Sequence, residues 1–143
     1  MDDPRALADR AAIRTLVDEY ALAADHRDAA RFAAVFAPDG TLATPQGVHA
    51  GSEELATIPG RLARYDRTFH VVANHVVDLH GDDASGETYC VAHHLTSGGD
   101  GPARDRVLHI RYLDRFVRTA DGWRIAARRL EVEWVEDRPV EIP

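Results

Sequence analysis

Asp25 and His70, far apart in this 143-residue chain, are the two side chains best suited to move a proton. Asp25 stands in Ala-Ala-Asp25-His-Arg-Asp, at the end of a predicted long helix. His70 stands in Thr-Phe-His70-Val-Val-Ala-Asn-His, at the start of a β-branched strand. A carboxylate at a helix C-terminus meets the negative end of the macrodipole, and a histidine opening an apolar strand has no evident partner. Each would be stabilised by the other if the helix lay across the sheet. An imidazole oriented by a carboxylate is a general base, and its unperturbed pKa of about 6.5 sits near working pH. The plainer fates are a solvated helix-end acid and a strand-end histidine bonded to backbone.

Other side chains could complete such a site. Tyr20 lies in the apolar stripe of the same helix, five residues before Asp25, and a buried phenol needs a hydrogen-bond partner. In the strand from Glu87 to Thr96, alternation puts Thr88, Cys90, Ala92 and His94 on one face, smaller and more polar than the face of Tyr89, Val91, His93 and Leu95. His94 is therefore a better pocket residue than His93, with Cys90 on the same wall. Leu108, Ile110 and Tyr112 share a face of the next strand. In the last strand Arg124, Ala126 and Arg128 share parity, and a concave-side arginine could hold an anionic substrate or leaving group. The substrate-lining set is thus His94, Arg128, Cys90, Leu108, Tyr112 and Phe69, the last being the neighbour of His70.

Several chemistries are excluded. Eight histidines invite a metal, but there is no His-Glu-x-x-His, Cys-x-x-Cys or His-x-His. Gly98-Gly99-Asp100-Gly101 lies between strands and lacks the lysine of a phosphate loop, and Ser52 has no nucleophile-elbow context. No metal and no cofactor are expected. Cys90 is mid-strand and reads as inert; as the one cysteine it rules out a disulfide framework. Net charge of −7 and a pI of about 5.5, with arginines spread among acids, do not suit nucleic acid or an anionic membrane. No run approaches ~20 apolar residues. The acidic start Met-Asp-Asp-Pro-Arg is unlike a secretory signal, so a cytoplasmic location is expected.

Positioning these residues requires particular elements. Ile13, Leu16, Val17, Tyr20, Ala21 and Ala24 keep helical spacing, predicting a helix over 6–24. Asp28 caps a second helix over 29–36, and Ser52 a third that Pro59-Gly60 interrupts or ends, with a short strand over 41–44 between them. Long strands follow over 69–79, 87–96, 106–118 and 123–135, separated by Gly-Asp-rich turns that suit an antiparallel meander. Helices first and strands after is an α+β order. The expected fold over 1–143 is one domain, a cone-shaped curved antiparallel sheet with three N-terminal helices enclosing a pocket.

The chain resembles the SnoaL-like branch of the nuclear transport factor two-like superfamily. The likeness is carried by Ala-Asp-Arg-Ala-Ala-Ile-Arg-Thr-Leu-Val-Asp-Glu-Tyr20 with Asp25, by Phe36-Ala-Pro-Asp-Gly40, by Thr68-Phe-His70-Val-Val-Ala-Asn, and by Asp121-Gly-Trp123-Arg-Ile. It implies an aspartate–histidine dyad of the kind used by scytalone dehydratases, bile-acid 7α-dehydratases and hexachlorocyclohexane dehydrochlorinases. By the same resemblance Tyr20 and Arg128 match further bile-acid enzyme positions, and His94 a second histidine of the scytalone enzymes. The expected function is a cofactor-independent lyase: dehydration or a related β-elimination on a hydrophobic, cyclic small molecule, with His70 as base, Asp25 orienting it and Tyr20 assisting. An isomerase or polyketide-cyclase-type enzyme would share the first proton abstraction. A non-catalytic ligand-binding or dimerisation module, or the small subunit of a ring-hydroxylating dioxygenase, would share the fold. The resemblance further implies a homodimer or homotrimer formed through the open sheet face, with Trp134, Val107 and Val117 as contact residues.

Overall fold

The computed structural model describes residues 3–143; Met1 and Asp2, part of the acidic start, lie outside them. Helix α1 (Pro4–Asp25) opens with Asp3 accepting from the Arg5 amide and Pro4 in the first turn. Its predicted stripe of Ile13, Leu16, Val17, Tyr20, Ala21 and Ala24 is buried, and Ala23 with it. α2 (Ala29–Ala34) is capped by Asp28 and buries Phe32. The sheet follows: β1 (Phe36–Thr44), β2 (Gly47–Ala50), β3 (Arg67–His80), β4 (Asp83–Thr96), β5 (Ala103–Thr119) and β6 (Gly122–Val140). Between β2 and β3 the predicted third helix is broken into α3 (Ser52–Leu55), α4 (Ile58–Arg61) and a 3₁₀ turn (Leu62–Arg64). Pro59 within the stretch explains the division.

The six strands form one curved sheet in the order β2-β1-β6-β5-β4-β3. The long strands make the expected antiparallel meander. The second helix ends at Ala34, short of the expected 36, and β1 begins at Phe36 rather than 41. Two features of the pairing also differ from the sequence reading. β2, a four-residue strand too short to signal itself, extends the edge through a hairpin with β1. β1 pairs with β6 in parallel, the one non-antiparallel neighbour, because the chain crosses from the edge to the far side before the meander begins. α1 packs chiefly on β3 and β6, so its C-terminal turn comes to rest at the start of β3.

The motifs that carry the family likeness have structural reasons. Trp123 is buried, and its Nε1 donates to Asp9 of α1 at 2.9 Å. Arg118 grips the same carboxylate through both terminal nitrogens at 2.8 and 2.7 Å. The Arg118 and Trp123 hydrogen bonds together hold the Asp9 carboxyl down at about 2, so α1 stays clasped to the β5–β6 turn at any moderate pH. In Phe36-Ala-Pro-Asp-Gly40, the register to β6 slips between Phe36 and Thr41, and Gly40 is pressed into the resulting bulge. A Cβ there would meet the Ala37 carbonyl at 2.9 Å, the Ile125 carbonyl at 3.0 Å and Phe36 Cβ at 3.0 Å. Backbone cannot swing aside, so Gly40→Ala is expected to lose ~1–3 kcal/mol in urea unfolding. An unchanged urea midpoint would show that the bulge relaxes freely.

Candidate active site

The end of α1 is built by an uncommon residue. Asp28 N–H bonds to Ala23 O at 2.9 Å and Arg27 N–H to Ala24 O at 3.2 Å, a Schellman closure with Arg27 at φ +57° where glycine is usual. A non-glycine residue in that region stores ~1–3 kcal/mol and persists only where its surroundings over-determine it. Here they do. The Arg27 guanidinium bonds to Ala24 O (2.9 Å), Asp25 O (3.3 Å), Leu62 O (3.1 Å) and Thr68 Oγ1 (2.7 Å). One side chain thus ties the last turn of α1, the 3₁₀ turn and the first residues of β3 together.

That knot delivers Asp25 to His70. Asp25 Oδ1 lies 2.6 Å from His70 Nδ1 and accepts from Thr68 Oγ1 at 2.9 Å, while Oδ2 accepts from the His70 backbone N–H at 2.9 Å. Because Arg27 donates to Thr68, the Thr68 hydroxyl has its own proton free for Asp25. The side chains of His70 and Asp25 are only 8% and 14% exposed, so the pair is shielded without being sealed. Burial alone would raise the Asp25 pKa; the His70 side-chain and backbone hydrogen bonds outweigh it and leave the carboxyl below its ordinary value. A lowered native pKa means that this group stabilises the fold above the unfolded carboxylate range. That contribution is lost as pH falls through the native value. With Asp25 ionised, the neutral imidazole of His70 places its proton on Nδ1 toward the carboxylate and its lone pair on Nε2.

Thr68→Val tests this wiring. It deletes one donor to Asp25 at nearly constant shape, so the Asp25 pKa, followed by carbon-13 titration of its carboxyl, is expected to rise toward the ordinary range. No movement would mean that Thr68 does not sustain the ionised state.

The pair opens onto a cavity of about 250 Å³ bounded by α1, α2, the β1–β2 hairpin, the α4–3₁₀ segment and the inner faces of β4 to β6. Tyr20 and Phe32 form its floor, Leu108, Ile110 and Tyr112 one wall. His94 also lines it, its ring 6.0 Å from that of His70. His94 Nδ1 donates to Arg106 O at 2.9 Å, and burial lowers the His94 pKa, so its Nε2 faces the cavity as a neutral acceptor. Tyr20 is 5% exposed and burial pushes its phenol up to about 12, which keeps it a hydroxyl donor at working pH.

Of the residues expected from sequence, His70, Tyr20, His94, Leu108 and Tyr112 line this one cavity, with Asp25 directly behind His70. Three others are elsewhere. Phe69 alternates to the opposite face of β3, is 64% exposed, and borders a surface depression behind Asp25. Cys90 faces inward but lies behind the lining residues, hydrogen-bonded with the Tyr112 side chain; burial raises its thiol to about 11. Arg128 does not reach the cavity. It is 1% exposed, bonds Asp114 at 2.8 Å through Nε and again through a terminal nitrogen, and sits 4.3 Å from the Tyr20 ring and 4.0 Å from the Tyr112 ring. It supports the floor rather than touching a ligand.

The parity of Arg124, Ala126 and Arg128 also fails. Phe116 pairs with Ile125 and Arg115 with Ala127, so the register slips at Ala126 and swaps the faces of β6. Trp123 and Ile125 point inward before the slip, Arg128 after it. Sequence reading missed Arg27 and Thr68. Arg27 had no glycine to mark the helix end, and only Thr68's place two residues before His70 in a period-two strand hinted at a shared face. Among the described residues, no three His, Cys, Asp or Glu side chains converge as a metal site, and no helix is long and apolar enough to cross a membrane.

Comparison with known proteins gives consistent relatives. A family model described as the SnoaL-like domain matches residues 5–129. The protein Rv2910c of Mycobacterium tuberculosis is 33% identical over 140 residues, covering 89% of this chain and 86% of its own. The crystal structure of Kfla4162 from Kribbella flavida superposes with a TM-score of 0.82 at 27% identity, covering 92% of this chain and 95% of that one. The hexachlorocyclohexane dehydrochlorinase LinA-type3 from Novosphingobium barchaimii LL02 shares the fold, with a TM-score of 0.87 at 17% identity, over 99% of this chain and 100% of that one.

Proposed function

Because the chain belongs to the SnoaL-like domain family, we propose that it is a cofactor-independent lyase acting by dehydration or a related β-elimination on a hydrophobic cyclic molecule. The observation that carries the reading is the Asp25–His70 couple, 2.6 Å apart, with the imidazole set in the wall of a mostly apolar cavity. His70 Nε2 removes a carbon-bound proton; Asp25 keeps the proton on Nδ1 and stabilises the imidazolium that forms. The electron pair left on carbon expels the β-substituent, which departs with the proton that His70 gives up or one drawn from solvent. Tyr20 donates a hydrogen bond to a carbonyl or to the departing group. A neighbour of the same fold is named a dehydrochlorinase, itself a β-elimination, and this agrees with the reading.

The cavity lies just below the ~300–1,000 Å³ typical of ligand pockets, which points to one or two rings. The test is incubation in deuterium oxide with candidate β-hydroxy and β-halo cyclic carbonyl compounds, followed by mass spectrometry. Loss of water or halide supports the lyase. Deuterium in the substrate without such loss would instead favour an isomerase using the same base. The expected self-association stays with the outer sheet face, where Trp134 is 56% exposed. Val107 is not available there, being 1% exposed beneath its neighbours, and Val117 is half-buried. Light scattering that finds only monomer at micromolar concentration would remove this expectation.

A further inference from the structure

Two arginines are set apart by their place at the cavity. Net charge is −7, and several arginines are met by carboxylates: Arg14 by Asp18, Arg104 by Asp137, Arg111 by Glu87, Arg118 by Asp9. Among the described residues, neither Arg64 nor Arg106 has a carboxylate partner, and both line the cavity that His70 lines. Both are exposed, as are Pro45 and Gln46 of the β1–β2 turn, so these four residues mark the mouth. No acidic residue belongs to the lining.

Their placement relates them to the proton-transfer end of the cavity. Arg106 is on the inward parity of β5, ahead of Leu108 and Ile110, in register with His94. Arg64 closes the 3₁₀ turn and leans over the Tyr65 ring at 5.0 Å; that ring lies 4.8 Å from His94. His94 is in turn 6.0 Å from His70. Two cations on different elements therefore border an aromatic and apolar chamber from its open side.

We propose that Arg64 and Arg106 receive the anionic group of the substrate, so that the cavity takes a one- or two-ring hydrophobic acid with its carboxylate at the mouth and its ring system on Tyr20 and Phe32. Guanidinium forks match a planar carboxylate, and two of them at a half-open mouth fix which carbon is presented to His70. This names the substrate class for the reading given above and rests on it.

The experiment uses naphthalene-2-carboxylate and its neutral counterpart naphthalene-2-carboxamide, titrated into the full chain by calorimetry at low salt. The carboxylate is expected to bind roughly tenfold tighter, with the preference shrinking as salt rises. In the double variant Arg64→Gln, Arg106→Gln the carboxylate should weaken to the level of the amide while the amide is unchanged. Equal binding of the two by the wild type, a preference that survives in the double variant, or no binding of either at millimolar concentration would each overturn the proposal. His70→Ala separates this result from the catalytic reading. Carboxylate preference retained in His70→Ala supports an anion site independent of the base. The same preference in a wild type that catalyses no elimination would sink the lyase alone, and an active wild type without it would sink the anion site alone.

Discussion

His70→Ala is expected to reduce turnover by ~10²–10⁴ while leaving ligand binding in the cavity within a few-fold, because the lost group acts on a proton and not on the bulk of the substrate. Asp25→Asn should fall nearly as far, for a reason the geometry makes specific. One oxygen of Asp25 takes the His70 backbone N–H at 2.9 Å, and that donor cannot move. An amide in its place must turn its oxygen to the backbone and its NH₂ toward His70 Nδ1. The imidazole is then forced to carry its proton on Nε2, and the base is lost although the ring stays in position. Rate measurements on both variants, with nitrogen-15 spectra of the imidazole to report the tautomer, decide the matter. A variant Asp25→Asn that keeps most of its rate would mean that the carboxylate does not orient the base.

Much of this site could be read from the chain because its members obey simple periods. The α1 stripe ran at helical spacing through Tyr20, and Asp25 fell at its edge. Strict alternation in β4 sent His94 inward with Thr88 and Ala92. Periodicity failed where the backbone departs from it. The slip at Ala126 moved Arg128 to the core, and no residue in Arg-Ile-Ala-Ala-Arg-Arg announces a bulge. Phe69 was assigned by adjacency to His70, although adjacency on a strand means opposite faces. Arg27 was invisible for a third reason: its left-handed backbone is imposed by bonds to Leu62 and Thr68, which are tertiary and have no local signature. Four-residue β2 and the broken α3–α4 segment lack the length from which a period can be recognised.

The stability of the floor depends on a buried pair, Arg128 and Asp114. Arg128 and Asp114 have wholly buried side chains and meet through two 2.8 Å hydrogen bonds. Burial would weaken the Arg128 charge, but Asp114 more than restores it, and the guanidinium stays protonated at any accessible pH. Arg128→Met leaves the Asp114 carboxylate dry and without a counter-charge, which is expected to cost about 3–5 kcal/mol. Against a total stability of ~5–15 kcal/mol, that is a drop on the order of ten degrees in Tm, or failure to accumulate folded protein. The double variant Arg128→Met, Asp114→Leu removes both charges and should recover most of the loss, since an apolar pair of similar volume is commonly neutral or stabilising. The pair then owes its presence to the rings it holds. Its guanidinium lies within 4.3 Å of both the Tyr20 and Tyr112 rings, so the recovered double variant should bind naphthalene-2-carboxamide more weakly although it is folded. A single variant that unfolds within about 1 kcal/mol of wild type would show that the buried charge finds water or another donor.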